Sequence, residues 1–367
     1  MARMDAVSKQ TAAKIEKLAE SVMRSVKGGK NPFVEIPIRS LANVHFDARK
    51  GIVQLGKQRQ KRYFFNVAMA KKFMQTFLVS DACKELVESG KTTSIRDLYY
   101  ITKHTIGDTR QNTFEEQDES DPIIEDLEVA LDALREELHL FASRKGSMVG
   151  PITIRDTGDT IDLRRMGSGG WAVPSIVEEN VIQFVRHEAR YILLIEKDAV
   201  WTRFNEDKFW KRERCIILQG GGQPPRGVRR LVQRLHHELE LPVYVLVDND
   251  PWGFYIYSVM KQGSINLAYE SMRMAVPQAR FVGLSSFDKD KYKLPANVAI
   301  KMDDGDVSRA KQMLAYPWFK DARWQREIQE MVRSGMKFEL EALSRRGISF
   351  ITEEYLPRKL KEKDWLA

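Results

Sequence analysis

Little in this sequence points to a life outside the cell or in a membrane. There are two cysteines, Cys83 and Cys215. Neither has a neighbour at zinc-ligand spacing, so neither a disulfide framework nor a thiolate metal site is expected. No apolar run approaches the roughly 20 residues of a membrane span. The opening "MARMDAVSKQTAAKIEKLAE" lacks the uninterrupted apolar stretch of a signal peptide. The expectation is a protein of the reducing cytoplasm. No Gly-x-x-x-x-Gly-Lys-Ser/Thr run occurs, which removes the usual phosphate-binding loop of ATPases. The six histidines are scattered. His236 and His237 are adjacent rather than four apart, so no histidine metal site is expected.

What is present is a chain of 367 residues, a length that suggests two or three domains. Hydrophobic residues make up 43%, enough to build their cores. Lys and Arg outnumber Asp and Glu by 59 to 51, a net charge of +8. That excess favours a polyanionic partner, although many basic proteins bind no nucleic acid. There is no internal repeat and no low-complexity tract.

Residues 6–27 read as an amphipathic helix. Ile15, Leu18, Ala19, Val22, Met23 and Val26 keep helical spacing, and Gly28-Gly29 ends it. Short strands follow in "FVEIPI", "NVHFD" and "GIVQL". From about Val67 to Lys145 the pattern is mostly helical. "IIEDLEVALDALREELHLFAS" is read as one helix with Pro122 in its first turn. "GPITIRD" and "DTIDL" then suggest a hairpin, and helices followed by a hairpin suit a winged helix-turn-helix. A plain helical domain with an incidental hairpin fits the same pattern. "RRMGSGGWAVP" (164–174) looks like a glycine-rich connector and boundary. Beyond it, "ENVIQFVRHEAR" is read as a helix. Apolar runs alternating with helices then indicate an α/β domain with a mainly parallel sheet.

Two of those apolar runs end in acids. Glu196 follows "YILLI", and Asp248 and Asp250 lie in "VYVLVDND". Ligands of open α/β sheets bind at the carboxyl ends of the strands. Residues two apart in extended backbone face one side, so Asp248 and Asp250 can share a site. Oxygen ligands without Cys or His suit Mg2+, for which two carboxylates suffice. Asp250 would then act through water or at a second, weaker site. The plain alternative for any single acid is helix capping. Between these runs, "GGGQPPRG" is either an ordinary loop or a place where backbone N–H groups approach a phosphate. After it, Arg226, Arg229, Arg230 and Arg234 in "GVRRLVQRLHHELE" could contact a DNA backbone or form a solvated basic face.

In "SIRDLYYITKHT" two tyrosines are adjacent. On a helix, Ile95, Leu98, Tyr99 and Thr102 form one stripe, while Arg96, Tyr100 and Lys103 form another. Tyr99 is therefore expected to pack inward and Tyr100 to be exposed. A phenol of pKa about 10 is a poor nucleophile at neutral pH. A guanidinium one turn away can favour its phenolate and stabilise charge on a phosphate. An exposed tyrosine is also commonly a stacking or hydrogen-bonding surface residue, and its basic neighbours can be simple phosphate contacts.

Glu196 in "LLIEKDAV" with Asp248 and Asp250 in "VLVDNDPWG" resembles the acid set of the Toprim domain found in topoisomerases, primases and some nucleases. With "IRDLYY" ahead of "EEQDES" and "EDLE", and "KFELEALSRRGISFITEEYLP" behind, the order resembles the A subunit of type IIB DNA topoisomerase, topoisomerase VI. A eukaryotic transesterase that makes meiotic double-strand breaks shares that core. The resemblance runs from about Lys30 to the end. It implies a winged-helix (CAP-like) domain followed by a Toprim α/β domain. The expected boundaries are 1–66 for a partner-docking extension, 67–165 for the winged helix and 175–367 for the Toprim part with a helical elaboration. It implies Tyr100 as nucleophile, Arg96 as its motif's arginine, and Glu196, Asp248 and Asp250 as Mg2+ ligands. Lys103, Arg226, Arg229 and Arg230 are the expected DNA contacts. One departure is "QGGGQPPRG". Gly221 stands where a lysine is expected, and Pro225-Arg226 where Pro-Asp is commoner.

The same resemblance implies cleavage of duplex DNA through a transient 5′-phosphotyrosyl link. It implies a homodimer in which the tyrosine of one protomer works with the acids of its partner. It also implies an ATP-binding B subunit of the GHKL type, giving A2B2, for which the helix at 6–27 is either a dock or packed on its own domain. Rival expectations are a recombination transesterase without strand passage, a Toprim hydrolase using metal-bound water, and a non-catalytic DNA-binding module.

Overall fold

In the computed structural model, which describes residues 5–367, the chain forms two units. One takes residues up to 43 together with 55–143, the other 44–54 together with 144–367. No described helix is long and apolar enough to cross a membrane.

The first unit begins with α1 (Ala6–Lys27), whose N-cap Asp5 accepts from the Ser8 amide. Its Ile15 reaches the core, but Met23 and Val26 stay exposed, so the apolar stripe is only half used. Strand β1 (Phe33–Pro37) precedes a hairpin, β2 (Val44–Asp47) and β3 (Ile52–Leu55), that clusters with the second unit. There Phe46 lies 6.1 Å from Trp318. The chain returns in β4 (Arg59–Tyr63), which pairs antiparallel with β1. Helix α2 (Val67–Ser89) ends at Gly90 in the left-handed conformation. Then come β5 (Thr93–Ser94), α3 (Ile95–Thr102), α4 (Ser120–Leu131) and β6 (Leu140–Phe141), with β5 and β6 pairing parallel. Val79, Cys83, Leu98, Tyr99, Phe114, Ile124 and Leu127 form the shared core. Arg39 and Arg62 both clamp the Asp126 carboxylate, tying β4 and the segment after β1 to α4.

The long helix expected after Pro122 stops at Leu131, because Asp132 turns left-handed at φ 48°. Of the extension expected over residues 1–66, the described residues 5–43 and 55–66 cluster with the helical unit. β1 and β4 are integral to the helical unit, while 44–54 belongs elsewhere.

The second unit is built on a six-stranded sheet of order β10-β7-β13-β12-β14-β15. Strands β7 (Ser147–Val149) and β10 (Trp171–Ala172) pair antiparallel at one side of it; between them in the chain, β8 (Ile152–Asp156) and β9 (Asp159–Asp162) form a hairpin. Strand β11 (Ile182–His187) joins β8 with a bulge between Phe184 and Arg186. The parallel centre is β12 (Tyr191–Ile195), β13 (Cys215–Gln219), β14 (Val243–Leu246) and β15 (Arg280–Phe281). Helices α5 (Asp198–Glu206), α6 (Phe209–Arg212), α7 (Arg226–Leu239), α8 (Pro251–Gln262) and α9 (Ser271–Met274) intervene. Then follow α10 (Asp288–Lys291), β16 (Ile300–Lys301), α11 (Asp304–Ala315), α12 (Ala322–Ser334), β17 (Met336–Lys337) and α13 (Leu356–Glu362).

Alternation along the central strands makes two cores. Ile192, Leu194, Ile216, Leu218, Val243 and Val245 face one. Leu193, Ile195, Cys215, Ile217 and Leu246 face the other. Burial on both faces is why these runs carry no polar alternation. Cys83 and Cys215 are fully buried, and burial pushes both thiols up, away from reactivity.

Three expectations are corrected here. The hairpin β8–β9 exists but clusters with the sheet unit, not with the helices before it. "ENVIQFVRHEAR" is a strand rather than a helix, because β8 offers it a ladder. The connector 164–174 is no boundary, since Trp171 is buried and paired in the main sheet.

Candidate active site

Helix α3 starts at Ser94, whose hydroxyl accepts the Asp97 amide at 3.0 Å and donates to the Asp97 carboxylate at 2.7 Å. This cap fixes the helical phase, and the phase sorts the tyrosines. Tyr99 is 7% exposed, against 60% for Tyr100. The Tyr99 hydroxyl donates to the Glu115 carbonyl at 2.8 Å and accepts from the Lys103 ammonium at 2.7 Å. Its oxygen is thereby fully occupied. Tyr100 leans edge-to-face on the Tyr99 ring at 5.0 Å, leaving its phenol on the surface. Arg96, one turn earlier, is exposed and makes no ion pair among the described residues. Lys103, read from the sequence as a DNA contact, is tied to its own unit. It bonds Tyr99 and, at 2.9 Å, the Glu115 carbonyl.

In the second unit, β12 delivers Glu196 and β14 delivers Asp248. Ile195 pairs with Leu246 in the parallel register, so both strands end together. The Asp248 amide donates to Glu196 Oε2 at 3.2 Å. Between the two aspartates, Asn249 turns the other way and donates to Leu284 and Ser286. Asp250 caps α8 by accepting the Gly253 amide at 2.6 Å. Gly253 has to be glycine, since a Cβ there would lie 2.7 Å from the Asp248 carbonyl.

Asp248 is only 3% exposed. Its Oδ1 accepts the Leu340 amide at 2.8 Å, and its Oδ2 lies 2.8 Å from Lys197 Nζ. Lys197 also reaches Glu341 at 3.0 Å and Glu339 at 3.3 Å. Even so, positive charge is in short supply. Burial, then the neighbouring Asp248, pushes the Glu196 carboxyl up to about 7. Burial pushes Asp248 up to about 6 despite the lysine and the amide, and it also raises Asp250. Two adjoining carboxylates that burial makes costly to ionise fit a divalent cation, which would lower that cost.

The three acids do not close into one cage. Among the described residues no group of three His, Cys, Asp or Glu side chains is arranged to hold a metal. Glu196 and Asp248 adjoin, while one oxygen of Asp250 is committed to its helix. The glycine loop serves the same strand end. Gly221 and Gly222 adopt φ of 66° and 90°, and the Gly222 amide donates to the Glu196 carbonyl at 3.0 Å.

On the basic helix α7 the arginines expected to contact DNA are engaged within their own unit. Arg226 pairs with Glu270 at 2.7 Å and reaches the Tyr269 hydroxyl. Arg229 is 2% exposed, and burial lowers its pKa to about 10. Arg230 is held by Glu178 at 2.7 Å, and Arg234 bonds the Ile182 carbonyl and Glu238. Arg226 and Arg230 thus pair with acids from other segments, Arg234 is buried with its guanidinium on the exposed Glu238 of the same helix, and Arg229 is buried. What local spacing does not reveal is the collar of Lys197, Glu339, Glu341 and the Leu340 amide. Lys197 sits beside Glu196 in the chain, but nothing local links it to residues more than 140 positions later.

Family models match three stretches of the chain. The Toprim domain shared by the topoisomerase 6 A subunit and Spo11 covers 191–360. A type IIB DNA topoisomerase model covers 71–140, and an all-beta domain of the DNA topoisomerase VI alpha subunit covers 145–188. The A subunit of type 2 DNA topoisomerase 6 from Pyrococcus horikoshii is 46% identical over 95% of this chain and 93% of its own length. That of Hyperthermus butylicus is 42% identical over 96% and 94%. The A3 subunit of DNA topoisomerase 6 from Oryza sativa subsp. indica is 35% identical over 99% of this chain and 80% of its own.

The chain belongs to the topoisomerase VI A-subunit family. Within that family the all-beta segment takes in all five strands β7 to β11, whose sequence alone suggests a wing, a connector and a helix. The Toprim model begins at Tyr191, the first residue of β12, and so takes in Glu196, Asp248, Asp250 and the lysine collar. Tyr100 and Arg96 fall in the type IIB segment.

Proposed function

We infer that this chain is the DNA-cleaving subunit of a type IIB topoisomerase, with Tyr100 as its nucleophile. The observation that carries the assignment is the sorting of the two tyrosines. One phenol is locked by Glu115 and Lys103, and the other is exposed beside a guanidinium without an ion pair, in a segment matching the type IIB model.

In this reading the helical unit is of the winged-helix type and presents α3 to duplex DNA. The Tyr100 oxygen attacks a backbone phosphorus and loses its proton. The bond to the 3′ oxygen breaks, and that oxygen leaves as a hydroxyl after gaining a proton. The 5′ end stays on the tyrosine, and reversal reseals the strand, because the phosphodiester energy is conserved in the covalent link. Arg96 stabilises charge on the phosphate. Glu196 and Asp248 are the residues that would hold Mg2+, with water completing its shell and Asp250 acting through water. When bound, that ion supplies positive charge to the phosphate oxygens. Lys197 keeps Asp248 ionised and in place until then.

Two cuts in a duplex require two copies, so the working form is a two-fold homodimer. Strand passage would be driven by a separate ATPase B subunit in an A2B2 complex, acting on chromosomal DNA in the cytoplasm.

The test uses the wild-type chain and its Tyr100→Phe and Tyr99→Phe forms with supercoiled DNA, the B partner, Mg2+ and ATP, followed by denaturation. Protein attached to 5′ ends is expected in wild type and Tyr99→Phe and absent in Tyr100→Phe. Unattached broken ends in all three would mean hydrolysis by metal-bound water. Attachment without relaxation would favour a recombination-type transesterase.

A further inference from the structure

Trp252 is the second helical residue of α8, whose N-cap is Asp250. It is 45% exposed, unusual for so large an apolar ring. Arg309 of α11 lies over it, with the guanidinium carbon 4.6 Å from the ring centre. The same guanidinium is 4.8 Å from the ring of Tyr255. Arg309 has no carboxylate within ion-pair distance among the described residues, and only part of its surface is covered. This contrasts with Arg226, Arg230 and Arg273, each of which is held by an acid.

A purely internal clamp between α8 and α11 would need only the Tyr255 contact. The indole adds something outward-facing. Trp201, Trp210 and Trp324 each spend their indole N–H on a protein oxygen. Trp252 makes no such bond among the described residues. The facet therefore presents a rigid ring, an indole donor and guanidinium donors beside the half-buried Tyr255. A planar guanidinium with an aromatic face suits a sugar-phosphate backbone.

We propose that the Arg309–Trp252 pair is a phosphate-backbone clamp that holds duplex DNA in register beside the Asp248–Asp250 acids. The proposal rests on the DNA-cleavage reading above. Arg309 binds one phosphate, Trp252 holds the guanidinium flat and lies against the adjoining sugar, and neither residue takes part in bond-making. They are positioning residues.

The experiment measures binding of the full-length chain to a fluorescently labelled duplex in EDTA, across a salt series. Arg309→Gln is expected to weaken binding roughly tenfold at moderate salt. The slope of log affinity against log salt should fall by about one, as for loss of one phosphate contact. Trp252→Phe, which keeps a ring but loses the indole donor, should weaken binding less than Trp252→Ala. With the B partner, Mg2+ and ATP, Arg309→Gln should raise the DNA concentration for half-maximal cleavage and leave maximal cleavage intact. Oxidative footprinting of the wild-type chain, which needs no variant to fold, should show Trp252 protected by duplex. The proposal is overturned if Arg309→Gln keeps the wild-type salt slope, or if DNA leaves Trp252 as reactive as before. An unchanged slope with a lowered melting temperature would make the pair only a helix clamp. Wild-type chain that attaches to DNA while these variants behave normally would refute the clamp alone. Wild-type chain that never attaches would refute the cleavage reading itself.

Discussion

Replacing Glu196 by glutamine should stabilise the metal-free protein at neutral and alkaline pH. Glu196 moves from an ordinary 4.5 to about 7 in the fold, chiefly through burial. A carboxyl whose folded value is raised holds its proton longer folded than unfolded. Stability conferred by that proton is present below about 4.5, is lost progressively as pH rises to about 7, and stays lost above. At roughly 1.4 kcal/mol per pH unit, the charged form costs about 3 kcal/mol at pH 8. Glutamine keeps an oxygen to accept the Asp248 amide but carries no charge, so Glu196→Gln escapes this cost. For a unit of this size each kcal/mol shifts melting by roughly 2–4 °C, so the variant should melt about 6–12 °C higher than wild type at pH 8 in EDTA. Near pH 4.5 the two should coincide. Added Mg2+ should raise the wild type and leave the variant almost unmoved, closing the gap. The assay is a melting series over pH with and without Mg2+. If the variant is no more stable at pH 8, or if Mg2+ stabilises both equally, the view of this pair as an under-compensated cation site is wrong.

Tyr99→Phe removes a hydroxyl that both donates and accepts, and should cost about 1–2 kcal/mol in denaturant unfolding while leaving DNA attachment intact. Tyr100→Phe should leave stability unchanged, because its phenol makes no hydrogen bond among the described residues. Gly253→Ala places a Cβ 2.7 Å from the Asp248 carbonyl, backbone that cannot yield; a loss above about 2 kcal/mol is expected, with weaker Mg2+ binding by titration calorimetry. Lys359→Met strands the buried Asp288 carboxylate, now 2.9 Å from the ammonium, and should cost about 3–5 kcal/mol by melting or denaturant titration.

Where local spacing decides placement, the sequence was a sufficient guide. The stripe through Leu98, Tyr99 and Thr102 separated the tyrosines, because a capped helix leaves no other phase. Alternation placed Asp248 and Asp250 on one side, yet only Asp248 bonds Glu196, because Asp250 caps α8. Where distant partners decide, the reading failed. "ENVIQFVRHEAR" carries no local signal that chooses strand over helix until β8 is beside it. The α7 arginines look free until Glu178 and Glu270 are folded against them. The Lys197 collar joins residues whose proximity only the sheet creates.

The hairpin of residues 44–54 has a practical consequence. The chain changes unit after Asn43, again after Gln54 and a third time after Ser143. A protease nick at the last crossing would therefore not yield two clean halves. The amino-terminal fragment would still own a piece of the carboxy-terminal fold, seated with Gly51 against Pro277 and Phe46 near Trp318. Such fragments should co-elute under native conditions, and neither half should be expected to behave as an independent module when expressed alone.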